Sequence, residues 1–166
     1  AFNGNNVELS FAMASPTQAQ QTSKLFMKAG AMVNVTDAKL KVTGDLGKIL
    51  DNCLGDTDFM YKNDGNAVSG KYGYGERQAL YNWWQSFKGV EKSLNDQKKF
   101  KEAKAVANIS KKGIEASYNF YKIEPQSIMD RLGVVIFSLV FYVIYTLWYG
   151  FAIMFMFEGW GMQLEH

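Results

Sequence analysis

The sequence predicts an all-α fold: a small helical soluble domain with an extended N-terminal arm and a long loop, followed by one C-terminal transmembrane helix. Three observations predict it. Residues 132–157 carry no charged side chain; about 26 residues at 1.5 Å each make a helix of roughly 39 Å, longer than the roughly 30 Å hydrocarbon layer, so it spans with some tilt. Helix caps and stops punctuate the chain from Ser15 to Tyr121. What remains after the span, roughly 120 residues, suits one core. The expected division is 1–126 for the soluble domain, 127–158 for the span and 159–166 for a short tail across the membrane.

In chain order, "AFNGNNVELSFAMA" shows no helical period and is expected to be an extended arm. "ASPTQAQQTSKLFMKAG" reads as a helix: Ser15 caps it, Pro16 suits the first turn, Gln18 stands three after the cap, and Gly30 stops it. "DLGKILDNCLG" reads as a second helix, with Asp45 as cap, Leu46, Ile49, Leu50, Cys53 and Leu54 at helical spacing, and Gly55 as terminator. The Gly, Asn, Asp and Tyr-rich residues 55–76 are expected to form a long loop, of the kind held by function or by a partner. From Glu76 to Tyr121 the chain is helix-forming, with expected breaks at Gly89, at "LNDQ" and near Gly113. Nothing reads as a sheet. In "EPQSIMD", Pro125 ends what precedes it, and Ser127 with Asp130 resembles a capping box that starts the last helix near Ile128.

Charge and cysteine content narrow the classes. The net charge of +2 gives no reason to expect a nucleic-acid partner. Residues 98–112, "KKFKEAKAVANISKK", hold six lysines and one glutamate, fitting either a solvated helix face or an anionic-lipid or partner surface. Cys53 is the only cysteine, so no intrachain disulfide forms, which favours a reducing compartment. Lys111, Lys112, Lys122 and Arg131 precede the span and only Glu158, Glu165 and His166 follow it, so the positive-inside tendency places the N-terminal domain on the cytoplasmic, stromal or matrix side. The chain begins at Ala1, which fits either a removed presequence or a sequence that starts downstream of its initiator; a cleaved N-terminal signal would reverse this topology. The sequons at Asn34 and Asn108 would then stay on the untranslocated side.

Recognisable chemistry is sparse. Asp56, Asp58 and Asp64 have a calcium-like spacing, yet Met60 and Lys62 occupy places where oxygen ligands belong. The glycines Gly70, Gly73 and Gly75 lack the strand and the Gly-Lys-Ser/Thr ending of a phosphate loop. One His and one Cys assemble neither a triad nor a metal centre of the usual spacing, so a non-catalytic protein is expected. The candidate sites are contact surfaces. Trp148 and Tyr149 lie well inside the apolar run, where an interfacial belt would not put them. With Phe155, they suit either a lipid-facing aromatic anchor or contact with other helices or flat apolar pigments, whose metal Glu158, Gln163 or His166 could ligate unless these form a solvated tail. Leu164-Glu165-His166 also matches the start of a histidine tag. Tyr72 and Tyr74 in the expected loop, and the pair Trp83 and Trp84, which cannot both face one core, are candidate partner contacts.

The opening "AFNG" resembles the processed N-terminus of plastid antenna proteins from algae with red-type plastids, where a targeting sequence ends around an Ala-Phe pair. The resemblance covers two residues. It implies a thylakoid-membrane location with a stromal soluble domain, and an accessory or linker subunit joining a photosystem core to its light-harvesting proteins, with chlorophyll and carotenoid as possible contacts of the span. The antenna proteins have three spans with Glu and Arg inside the helices; this chain has neither. The alternative is a small anchored structural subunit of a respiratory or bacterial secretion complex.

Overall fold

Val7, Leu9, Phe11 and Met13 are buried while Glu8, Ser10 and Ala12 are exposed, the period-two alternation of a strand with one wet face. In the computed structural model, which describes residues 2–124 and 127–161, all of these but Met13 are part of a sheet. The expectation of an all-α soluble domain is therefore corrected, and the N-terminal segment is a strand, β1 (Asn6–Ala12), rather than an arm. A helix, α1 (Pro16–Lys28), leads to a hairpin of β2 (Met32–Thr36) and β3 (Lys39–Asp45). The antiparallel order is β1-β3-β2, with Leu9 opposite Val42 and Val33 opposite Val42. Asp37 turns the hairpin at φ 53°, a left-handed conformation that Asp tolerates better than most residues.

The helical starts follow their caps. Ser15 Oγ accepts from the Gln18 amide at 3.2 Å, and Gly30, at φ 80°, lets the chain turn off α1 into β2. Asp45 ends β3 and caps α2 (Leu46–Tyr61), accepting from the amides of Gly47 and Gly4 at 2.8 Å each. α2 runs straight through Gly55, because a single glycine costs a helix only about 1 kcal/mol and buried Asp56, Thr57 and Met60 continue its inner face. The expected long loop is thus shortened to two turns around α3 (Gly65–Tyr72), which Asp64 caps. α4 (Glu76–Asp96) is unbroken at Gly89. α5 (Phe100–Ile109), a π-helical turn at Ser110–Ile114 and α6 (Glu115–Phe120) follow; the π turn sits where Gly113 predicts an irregularity.

One face of the sheet packs on α1 and α4. Phe11, Phe26, Trp83 and Phe87 form a chain of rings with centroids 5.2–5.7 Å apart, the first two contacts tilted and the Trp83–Phe87 contact edge to face. Gln97 Nε2 donates to the Glu8 carbonyl at 2.7 Å, and the Ser10 amide donates to Ser93 Oγ at 3.3 Å. The free edge of β1 is thereby covered by the end of α4, which removes it as a template for pairing with another chain.

The chain divides into two compact units, residues 1–123 and 124–166. In the second, Ser127 Oγ accepts from the Met129 amide and starts a 3-10 turn (Ile128–Arg131), as its capping position predicts. Pro125 lies outside the described residues. α7 (Leu132–Gly159) completes the unit, and the helical stretch Ile128–Gly159 is long and apolar enough to cross a membrane.

Candidate functional site

In α7 the aromatic residues recur every four positions and stack. Phe137 and Phe141 have ring centroids 6.0 Å apart, Tyr145 and Tyr149 6.4 Å, and Phe151 and Phe155 6.5 Å. Of the residues singled out for pigment contact, Trp148 and Phe155 stand seven apart and share a face, while Tyr149 lies on the adjoining one. Trp148 is 75% exposed. Glu158 is exposed in the last turn of α7, and Gln163 and His166 lie outside the described residues.

A second pattern in α7 was missed from the sequence, although it stands there at helical period. Ser138, Tyr142, Tyr145, Thr146 and Tyr149 carry every hydroxyl of the helix. At 3.6 residues per turn they fall within an arc about 100° wide. The opposite side, including Ile136, Val140, Val143, Leu147, Phe151 and Met154, carries no hydroxyl; its one polar group is Glu158 in the last turn. Thr146 satisfies its own hydroxyl by donating to the Tyr142 carbonyl at 2.8 Å. A tyrosine cannot do this, because its phenol projects away from its own backbone. Tyr145 stands at the midpoint of α7, about 20 Å along the axis from either end, so that if the helix crosses a bilayer its phenol lies too deep to reach headgroups. A phenol kept in hydrocarbon without a partner is costly, so the face is chemically suited to another protein or a polar-tipped ligand rather than to lipid tails.

In the first unit, the four residues singled out for partner contact separate into two buried and two half-buried side chains. Tyr72 and Trp83 do not lie at the surface: they are 3% and 0% exposed. The structure brings them together on Asp56, a fully buried carboxylate of α2. Asp56 accepts from Trp83 Nε1 at 2.8 Å, from the Tyr72 hydroxyl at 2.5 Å and from Lys71 Nζ at 2.7 Å. Asn52 completes the cluster, donating to Tyr72 Oη at 3.0 Å and accepting from Lys71 at 2.6 Å. Burial, reinforced by the bond to Asp56, pushes the Tyr72 phenol far above its ordinary value. Burial likewise raises the Cys53 thiol well above its own. Both shifts favour the protonated forms, and the Lys71, Tyr72 and Trp83 donors are engaged on the carboxylate, so the cluster ties α2, α3 and α4 together. Asp58 pairs instead with Lys62 at the surface and Asp64 caps α3, so the three aspartates do not converge.

Tyr74 is half-buried, its hydroxyl donating to the Gln21 carbonyl at 3.1 Å, and burial pushes its phenol up to about 12. Trp84 borders a groove of about 330 Å³ between α4 and α6, with Tyr81, Leu80, Ile114 and Tyr118. Its indole donates to Glu115 Oε1 at 3.0 Å and the Lys88 ammonium lies 3.2 Å from its ring centroid, a cation–π contact. Of the tryptophan pair, then, one is core and the other offers a ring to a groove. The lysines of residues 98–112 are exposed at positions 98, 101, 104, 111 and 112, the last four along one side of α5 and the π turn.

Among the described residues, no three His, Cys, Asp or Glu side chains gather as a metal site would require. No family model, curated protein or solved structure matches the chain.

Proposed function

We propose that this chain is a non-catalytic, single-span subunit that links neighbouring membrane proteins, and that the assembly it serves is a photosystem with its light-harvesting proteins. The observation that carries the linking role is the hydroxyl face of α7: a helix that served only as a tether would gain nothing from three phenols within one arc near mid-membrane. Neighbouring helices satisfy these phenols. The rings of Trp148, Tyr149 and Phe155 supply flat apolar surface against which chlorophyll or carotenoid lies. On the stromal side, the groove beside Trp84 is the contact for an adjacent subunit, since a partly exposed tryptophan among tyrosines is the kind of surface that interfaces favour. The photosystem assignment rests on the "AFNG" opening, and the stromal placement on the lysines and Arg131 that precede the span.

The test is the absorption spectrum of the gently solubilised native complex containing this chain, with mass spectrometry of its partners. Chlorophyll bands and photosystem peptides are expected. A colourless or haem-only complex would overturn the photosystem assignment and leave a respiratory or secretion assembly.

A further inference from the structure

Where the first unit ends, it exposes an apolar face. Tyr61 at the end of α2 is 61% exposed, Phe120 at the end of α6 is 55% exposed, and Ile123 is 55% exposed. The Tyr61 and Phe120 rings meet edge to face with centroids 6.4 Å apart. The backbone beneath them is fixed. The Lys122 amide donates to Asn63 Oδ1 at 2.6 Å, the Ile123 amide donates to the Phe120 carbonyl at 3.0 Å, and buried Tyr121 donates its hydroxyl to Glu76 at 2.8 Å. The face is therefore held out by the structure and does not result from a frayed end. The nearby charges are mutually compensated: Lys62 pairs with Asp58 at 2.7 Å, and Lys122 lies 3.5 Å from Glu76. What the face offers is an isoleucine, a phenylalanine and a tyrosine with a polar tip, bordered by lysine stems.

That composition matches the boundary between hydrocarbon and water, where aromatic rings with polar tips and long basic side chains concentrate. Covalent continuity identifies the occupant. Ile123 closes the first unit, and the apolar helical stretch opens at Ile128. Those few residues reach at most about 17 Å when fully extended. The geometry points to a second membrane contact: the Tyr61, Phe120 and Ile123 face seats in the headgroup layer of the same bilayer that α7 crosses. The inference rests on α7 spanning that bilayer. Such seating would hold the first unit in one orientation on its membrane, so that a linking subunit presents its groove to neighbours in a fixed direction.

The experiment uses the full chain reconstituted alone into phosphatidylcholine vesicles, with spin labels on single cysteines placed by Asn119→Cys, Lys62→Cys and, on the open face of the sheet, Lys41→Cys. Cys53 is buried and stays unlabelled. Labels at 119 and 62 are expected to collide more with oxygen than with a water-soluble nickel chelate, and the label at 41 to show the reverse. Adding Tyr61→Ser, Phe120→Ser and Ile123→Ser, all at exposed positions, is expected to return the label at 119 to the aqueous pattern. An aqueous pattern at 119 and 62 while the chain resists alkaline carbonate extraction overturns the docking face and leaves the span intact. Shielding of those labels from both reagents means that a second copy covers the face, which also overturns it. Release of the chain by carbonate overturns the span itself, and this inference with it.

Discussion

The indole of Trp83 donates to the carboxylate of Asp56 across 2.8 Å, in a site where both side chains are fully buried. This bond joins α4 to α2, and it explains why one member of the tryptophan pair is withdrawn from the surface. A carboxylate at full burial is stable only while its donors surround it.

Removing that carboxylate should therefore be severe. Asp56→Ala leaves the Lys71 ammonium, the Tyr72 hydroxyl and the Trp83 indole without their acceptor, and is expected to cost about 3–5 kcal/mol of stability. Trp83→Phe loses one bond to a charged group, about 1.5–3 kcal/mol, and the pyrrole half of the indole, yet leaves Lys71 and Tyr72 with their acceptor, so its total loss should stay below that of Asp56→Ala. Denaturant unfolding of the full chain in detergent checks both. An Asp56→Ala loss below that of Trp83→Phe would mean that the cluster does not act as a tie.

Gly89 should not tolerate a side chain. A Cβ there would stand 2.5 Å from Cβ of Phe11 on β1, closer than packed carbons approach. Gly89→Ala gains about 1 kcal/mol of helix propensity, yet the overlap forces the helix off the sheet at a cost of about 1–3 kcal/mol. A net loss of stability is expected in thermal unfolding, and a gain would show that α4 and β1 are not in such close contact. The same approach explains why the glycine does not mark a break: sheet packing uses it inside a continuous helix.

Stability should fall on the alkaline side. The phenols of Tyr72 and Tyr74 and the thiol of Cys53 are raised by burial, so the folded state keeps protons that the unfolded state loses at the ordinary tyrosine value of 10.0 and cysteine value of 9.0. Their contribution is complete below those values and is lost as pH rises above them, for Tyr74 until about 12. Asp45 works in the opposite sense. The amide of Gly4, foremost among its partners, holds its carboxyl below 3.8, so its contribution is present above that value and is lost as pH falls through the folded value. Unfolding midpoints measured across pH should decline at both ends, and Tyr72→Phe should flatten the alkaline limb. An unchanged alkaline limb would contradict the buried placement of the phenol.

Legibility in the sequence followed the range of the signal. Ser15, Pro16, Gly30, Asp45 and Ser127 act within one turn of themselves, and each cap or stop falls where its neighbours predict. α7 was legible because its apolarity needs no tertiary context. The sheet was not recognised, although Val7, Leu9 and Phe11 alternate plainly. The strands are only 5–7 residues long, and β1 pairs with a strand across α1 and the whole of β2. Gly55 was misleading because a stop residue ends a helix only when burial beyond it does not favour continuation. Of the candidate site residues, the division between Trp83 and Trp84 was expected in kind, but the helical stripe of Leu80, Trp84, Phe87 and Leu94 points to Trp84 as the inward member, whereas the core takes Trp83. Asp56 carried no local mark of its role, since its partners come from α3 and α4.

Topology offers a further prediction. With lysines and Arg131 preceding α7, the first unit should face the cytoplasmic, stromal or matrix side. In sealed native membranes of known orientation, protease added to that side should cleave the exposed Lys98 and Lys101 region, and protease confined to the other side should not. Cleavage from the opposite side alone would reverse the assigned orientation.

The proposed linking role depends most directly on the phenols of α7. The combined variant Tyr142→Phe, Tyr145→Phe and Tyr149→Phe removes three oxygens, keeps every ring and makes the helix more apolar, so insertion should be retained. Hydrogen bonds between membrane helices average about 0.6 kcal/mol each, so losing three should weaken association with the native complex by roughly twenty-fold. The measurement is the fraction of the variant that stays with the complex after gentle solubilisation, beside its resistance to carbonate extraction. Full resistance with loss from the complex is the predicted result; a variant that stays inserted and is retained as the wild type is would contradict the assignment of the hydroxyl face to a partner.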